Sequence, residues 1–164
     1  MHNTGLHFGF SVSSGCKKLK KIKIPPFIEQ LGSYAFQSFT NLEEIKIPSS
    51  IPTIGEKTFY QCSSLKTINI PSTVKIIEKG AFSDCTSLET IELPSSLTNI
   101  GKKAFQGCTL LKSIKIPSSV TSIGNYCFAY CSLLNNVEIL SSIKTIEKSL
   151  FSNCTSLVDI KLPL

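Results

Sequence analysis

CSSLKTINIPSTVKIIEKGAF, residues 62–82, is followed after two residues by CTSLETIELPSSLTNIGKKAF, residues 85–105, which is nearly the same phrase. Repetition at a fixed period of this size is the signature of a solenoid or another repeat array. Working outward, the same phrase fills almost the whole chain. Pro25, Pro48, Pro71, Pro94 and Pro117 are spaced by 23 residues, and Leu140 and Pro163 hold the next two places. Phe36, Phe59, Phe82, Phe105, Phe128 and Phe151 keep that period, as do Leu19, Leu42, Leu65, Leu88, Leu111, Leu134 and Leu157. Cys16, Cys62, Cys85, Cys108, Cys131 and Cys154 share one column, with Phe39 in the remaining place.

Within one unit, Leu65, Ile68 and Ile70 alternate with Lys66, Thr67 and Asn69. Period two predicts a short strand over residues 66–70, with Ile68 and Ile70 inward and Thr67 and Asn69 outward. Pro71 lacks the donor a ladder needs and ends the strand. Val74 and Ile77 turn inward again. Residues 78–83, with Ala81 and Phe82, are expected to form one or two helical turns, opened in most units by Gly32, Gly55, Gly101 or Gly124 as a cap residue. A unit this small cannot close a core alone, so stacked coils must share one. The fold expected is an α/β solenoid with one parallel sheet on its concave side and short helical turns on its convex side. It holds about seven 23-residue repeats in a single domain, 1–164. Residues 1–15 form a degenerate partial repeat and 16–164 the regular array.

The unit L-x-x-I-x-[IL]-P-S-[ST]-[VIL]-x-x-I-G-x-x-[AT]-F-x-x-C-[ST] resembles the BspA-like, or treponemal-type, leucine-rich repeat, and its 23-residue period lies in the range of leucine-rich repeats generally. The resemblance implies a curved solenoid that binds proteins, common in surface proteins of bacteria and mucosal protists. It implies no enzyme and no cofactor. The chain departs from the pattern at Leu140 for Pro, at Glu78 and Glu147 for Gly, and at Phe39 for Cys. The Asn ladder of other leucine-rich repeats is absent, and Ser50, Thr73, Ser96, Ser119 and Ser142 stand in its place.

Composition narrows the function further. The net charge is +6, and all seventeen basic residues are Lys. Arg supplies the bidentate fork that reads guanine and grips phosphate, so this balance speaks against sequence-reading nucleic-acid binding. No apolar run approaches the roughly 18 residues that span a bilayer. MHNTGLHFGFSVSSGC lacks the basic start and unbroken apolar stretch of a signal peptide. Surface or secreted localisation therefore comes from the resemblance alone, and an intracellular repeat scaffold is the alternative. A truncated repeat fragment without an independent role is a third reading.

Chemistry-bearing clusters are sparse. Six of the seven cysteines fall in the inward column beside Phe, where a thiol acts as a small apolar side chain. Bridging would need Cα atoms of neighbouring coils within about 7 Å, closer than coils joined by helical turns should come. Cys127 and Cys131 lie four apart, but His2 and His7, the only histidines, are at the far end, so no metal set forms. A Ser or Cys nucleophile likewise has no base within reach. The lysines of CKKLKKIK, residues 16–23, fall on the outer face of the first coil and suit a solvated edge. Asn153-Cys154-Thr155 is the only N-x-[ST] sequon, expected on the convex side.

The strand face carries the candidate binding residues. Lys20, Glu43, Lys66, Glu89 and Lys112 form one outward column in which each Lys stands between Glu neighbours. Lys23, Lys46, Asn69, Glu92, Lys115, Glu138 and Lys161 form the next. A protein or glycoprotein partner on the concave face would meet Lys20, Lys46, Lys66, Asn69, Glu89, Glu92, Lys112, Lys115 and Glu138. Tyr34, Tyr60, Tyr126 and Tyr130 are the competing anchors on the convex side. Self-association through the C-terminal edge, where Leu157, Ile160 and Leu162 lack a covering coil, is a further expectation.

Overall fold

The computed structural model describes residues 18–141, 143, 145–147 and 149–163, together with the strand His7–Phe8. Cys16, His2 and Ser142, named above, lie outside them. The chain is a parallel β-solenoid of about six turns, in which every coil repeats the one before with a 23-residue offset.

The expected strand is present in each coil. β1 (His7–Phe8) and β3 (Gln30–Leu31) pair at the start of a second ladder, whereas β2 (Lys21–Lys23), β4 (Glu44–Lys46), β6 (Thr67–Asn69) and β8 (Thr90–Glu92) form the first sheet. That sheet continues as β10 (Ser113–Ile116), β12 (Asn136–Ile139) and β13 (Asp159–Lys161). Lys112 N–H to Glu89 O, 3.4 Å, links the two parts. Ile68 and Ile70 are buried, with Thr67 and Asn69 exposed, as period two requires.

Two features differ from the sequence expectation. The second ladder is itself a parallel sheet, continued by β5 (Thr53–Ile54), β7 (Ile76–Ile77), β9 (Asn99–Ile100) and β11 (Ser122–Ile123). There are therefore two sheet faces, not one. And there are no helices among the described residues. The stretch expected to be helical is a run of tight turns whose N–H groups alternate in direction. Ala81, Ser83 and Cys85 donate back within their own coil to Glu78, Gly80 and Phe82. Gly80, Phe82 and Asp84 donate instead to Lys102, Ala104 and Gln106 of the next coil, at 2.9, 2.8 and 2.7 Å. A helix would keep every such bond inside one coil. Here half of them run along the solenoid axis, as in a sheet.

This alternation has a backbone signature. Tyr34, Lys57, Lys103 and Tyr126 share one column at φ 50–62°, completed by Gly80. Ser38, Gln61, Asp84, Tyr130 and Asn153 share another at φ 59–63°, completed by Gly107. Left-handed backbone is unfavourable for side-chain-bearing residues. The residues that adopt it are themselves donors to the next coil, as Tyr34, Lys57, Gly80 and Asp84 are.

Coils thus approach almost as closely on the turn side as on the sheet side. Phe36, Phe59, Phe82, Phe105, Phe128 and Phe151 stack with centroids 5.3–5.7 Å apart and planes within 12°. Against a strand spacing of about 4.8 Å, the turn side opens by less than about 1 Å per coil, so the solenoid curves only gently. The same closeness corrects the reading of the Gly column. A Cβ on Gly101 would lie 2.6 Å from Glu78 C and Lys79 N, and one on Gly124 2.3 Å from Lys102 N. These glycines admit the backbone of the preceding coil and do not cap a helix. Where Glu78 replaces Gly, its carboxylate accepts the Glu56 N–H at 2.8 Å.

Hydroxyl ladders seal the remaining carbonyls. Ser50 donates to Ile28 O, Thr73 to Ile51 O, Ser96 to Val74 O and Ser119 to Leu97 O. The column that stands where an Asn ladder would be thus ties each coil to a carbonyl of the preceding one.

Two outcomes follow. Phe82→Ala, at a fully buried ring between two stacked neighbours, should cost about 3–5 kcal/mol in urea melts, and Glu89→Ala well under about 1 kcal/mol. Gly101→Ser separates the two views of the Gly column. Close coil contact predicts a loss of about 1–3 kcal/mol from overpacking, whereas a helix cap would gain from the same change.

Candidate functional site

The outward face of the first sheet is assembled from side chains at consecutive strand positions, so residues 23 apart in sequence become lateral neighbours. Glu43 N–H donates to Lys20 O and Glu89 N–H to Lys66 O, which puts the expected first column in register. The second column is also in register, with Lys23 opposite Lys46, Asn69 opposite Glu92 and Lys115 opposite Glu138.

Charges on this face are mostly paired across coils. Lys20 Nζ lies 3.0 Å from Glu43, Lys112 Nζ 3.5 Å from Glu89, and Lys115 Nζ 3.0 Å from Glu138. A fourth pair, Lys21 to Glu44 at 2.7 Å, belongs to a third column that was not among the candidates, although period two also placed it outward. Its hydrogen bond and charge raise the Lys21 pKa. Of the nine candidates, five are therefore engaged within the sheet. Lys46, Lys66, Asn69 and Glu92 are exposed and have no ion-pair or side-chain hydrogen-bond partner among the described residues. Lys66 stands between Glu43 and Glu89, each already held by another Lys.

Grooves lie along this rim where the strands end and the prolines turn the chain. One of about 570 Å³ is bordered by Lys23, Lys46, Asn69 and Pro48. Another, of about 450 Å³, is bordered by Glu92, Lys115, Pro117 and Leu140, which is exposed in the Pro column.

The tyrosines expected to compete divide into two groups. Tyr34 and Tyr60 are half-buried and share Lys57, whose Nζ is 5.6 and 5.2 Å from their ring centroids. Tyr126 and Tyr130 are 38% and 51% exposed, with Lys103 Nζ 5.9 Å from the Tyr126 ring. They do not form one cluster, because Tyr34 and Tyr60 lie in coils near one end of the array and Tyr126 and Tyr130 in a coil toward the other.

Cys62, Cys85, Cys108, Cys127 and Cys131 are buried free thiols, and Cys154 is a half-buried one. Distance is not what keeps them apart, contrary to the expectation, since the coils are close on this side. Each column thiol instead donates to the carbonyl of a Phe in the preceding coil, from Cys62 to Phe36 at 3.2 Å through Cys154 to Phe128 at 3.0 Å. Burial pushes the Cys62 thiol up to about 12, and Cys85, Cys108, Cys127, Cys131 and Cys154 upward as well. Such thiols are poor nucleophiles at neutral pH. Among the described residues, no group of three or more His, Cys, Asp or Glu is placed to hold a metal ion. Nor is any helix long and apolar enough to cross a membrane.

The BspA type leucine rich repeat region matches residues 7–85 and 52–164, in six copies. The chain belongs to this family. Its match begins at residue 7, where β1 occupies the second-ladder position of an earlier coil. A leucine-rich repeat protein from Bacteroides ovatus has 43% identity and a TM-score of 0.83, over 87% of this chain and 39% of that one. The leucine-rich repeat protein of T. pallidum has 32% identity and a TM-score of 0.83, over 88% of this chain and 70% of that one. A leucine rich cell surface protein from Faecalibacterium prausnitzii has 30% identity and a TM-score of 0.70, over 87% of this chain and 48% of that one. No curated protein matches the sequence. The chain spans well under half the length of the B. ovatus protein. It is a leucine-rich repeat module of the kind generally used for protein interaction and not for catalysis.

The raised thiol pKa values predict the pH dependence of folding. A group whose folded pKa exceeds its unfolded value stabilises the fold fully below the unfolded value and loses that contribution as pH rises. Stability should therefore hold up to about pH 8.5, the value for an exposed thiol, and fall as the pH approaches about 12. Urea melts across that range check it. At pH 7 a bulky thiol reagent should label the five buried cysteines only after denaturation.

Proposed function

We propose that the chain is a non-enzymatic recognition module that binds a protein or glycoprotein through the outward face of the first sheet and its proline-lined rim. The observation that carries this reading is the row Lys46, Lys66, Asn69 and Glu92, exposed and unpartnered, with grooves beside all but Lys66, on a face where most other charges are held in ion pairs. Polar groups left without partners on a rigid surface are available to a ligand at little cost in reorganisation. A place at the cell surface or in secretion, with a role in adhesion or host recognition, is supported by family membership and by the description of the F. prausnitzii relative as a cell surface protein. The buried free thiols favour a second reading, an intracellular scaffold, because cysteines in exported proteins are more often bridged. Surface protease shaving with fractionation separates the two.

The face itself is tested by charge reversal. Reversing Lys66, Glu92 and Lys115 together should weaken a bound extracellular glycoprotein by about tenfold or more with an unchanged circular dichroism spectrum. Reversing Lys79 and Lys103 on the turn side should do much less. The opposite ranking would move the site to the turn surface, where Tyr126 and Tyr130 are exposed.

A further inference from the structure

In the first sheet, among the described residues, one pair of like charges stands directly opposite on neighbouring strands. Lys23 and Lys46 stand directly opposite each other on β2 and β4, both exposed. Neither ammonium has a carboxylate within 4.0 Å among the described residues, which include all eleven acidic side chains of the chain. The next residue in the column, paired with Lys46, is the neutral Asn69. Two and three residues earlier, Lys21 and Lys20 are matched by Glu44 and Glu43, at and just before the starts of the same two strands. Like charges directly opposite on neighbouring strands repel and destabilise the sheet. The pairing rule followed twice on these strands is thus broken at the position that opens on the groove.

That groove, about 570 Å³, is lined by Lys23, Lys46 and Asn69 and by the exposed turn residues Pro26, Ser49 and Ser72, while its Pro48 and Pro71 are buried. It crosses three coils, or two strand spacings of about 4.8 Å. Lys23 and Lys46 are one such spacing apart, and the first and third residues of an extended peptide are about 7 Å apart, a difference the flexible Lys side chains take up. The first and third side chains of such a peptide point to the same face.

We propose that this groove binds an extended acidic segment of a protein partner. Two carboxylates separated by one residue sit on the Lys23 and Lys46 ammoniums, and the aliphatic parts of the segment lie against Pro26 and the lysine methylene stems. The mutual repulsion of the two lysines in the free chain is relieved by the bound carboxylates, so charge complementarity selects the ligand. This proposal rests on the reading of the first sheet as the recognition face, and it names the chemistry of the partner at one end of it.

The test uses the full chain and a capped, fluorescently labelled Ala-Glu-Val-Glu-Ala peptide, with Ala-Gln-Val-Gln-Ala as its neutral counterpart. Anisotropy titrations at low ionic strength should show binding of the Glu peptide, about tenfold or more loss for the Gln peptide, and weakening by added salt. The double variant Lys23→Gln/Lys46→Gln should lose binding by a similar factor, while the equally charge-reducing Lys79→Gln/Lys103→Gln on the turn side should keep it. In the free chain, Lys46→Glu should raise the thermal midpoint at low salt, lose that gain in high salt, and abolish peptide binding. Equal affinity for both peptides, no binding of the Glu peptide, or a lowered midpoint for Lys46→Glu overturns the proposal. So does binding of a hyaluronan tetrasaccharide in preference to the peptide, which would assign the groove to a carboxylated glycan. If reversal of Lys66, Glu92 and Lys115 weakens a glycoprotein ligand but Lys23→Gln/Lys46→Gln changes nothing, the recognition face stands and the acidic-segment groove falls. If neither set matters, the recognition face itself is wrong.

Discussion

Everything in this solenoid depends on where alternate amides of the turn segment send their hydrogen bonds. Donors such as those of Phe82 and Asp84 reach the next coil, while Ala81 and Ser83 close turns within their own. The arrangement satisfies backbone groups that would otherwise be buried without partners. It also forces the coils to repeat by about one strand spacing on the turn side as well as on the sheet side. A coil with a true helix at this place could not approach its neighbour so closely, because helix axes pack 8–10 Å apart.

That single constraint accounts for the residue types in the other columns. Phe rings must be coplanar, since each has only one coil spacing to occupy, and they stack at 5.3–5.7 Å. Gly is needed where the preceding backbone passes within 2.3–2.6 Å of a would-be Cβ. Small donors, the thiols and the Ser or Thr hydroxyls, fit where a carbonyl of the preceding coil faces inward. Phe39 fills the Cys place in its coil and packs edge-on against Phe36 at 5.8 Å.

The strands and the column structure were legible in the sequence because period two and a 23-residue register are local, countable patterns. The turn segment was not. Gly followed three or four residues later by Ala-Phe has the composition of a short helix, and nothing within one unit reveals that half its donors leave the coil. The second ladder was missed for a related reason. A strand of two residues such as Ile76–Ile77 shows no alternation, and only its bonds to Thr53–Ile54 and Asn99–Ile100 define it. On the candidate face, the columns themselves were readable, but not how each Lys chooses between two Glu neighbours. Lys66 is left over because Glu43 pairs with Lys20 and Glu89 with Lys112. Lys23 was visible in its column and passed over, since its like-charged neighbour gained meaning only with the groove beside it.

The account of function follows from the same geometry. A surface built from translated copies is neutral and uniform by default, so departures from the repeat carry its specificity. Its foundation, the axial hydrogen bonds of the turn side, can be observed directly by NMR coupling across a hydrogen bond. In uniformly 13C,15N-labelled protein, the Phe82 amide nitrogen should couple to the carbonyl carbon of Ala104, to which it donates at 2.8 Å. Coupling of that nitrogen to the carbonyl of Glu78, the i−4 partner of an α-helix, would contradict the account.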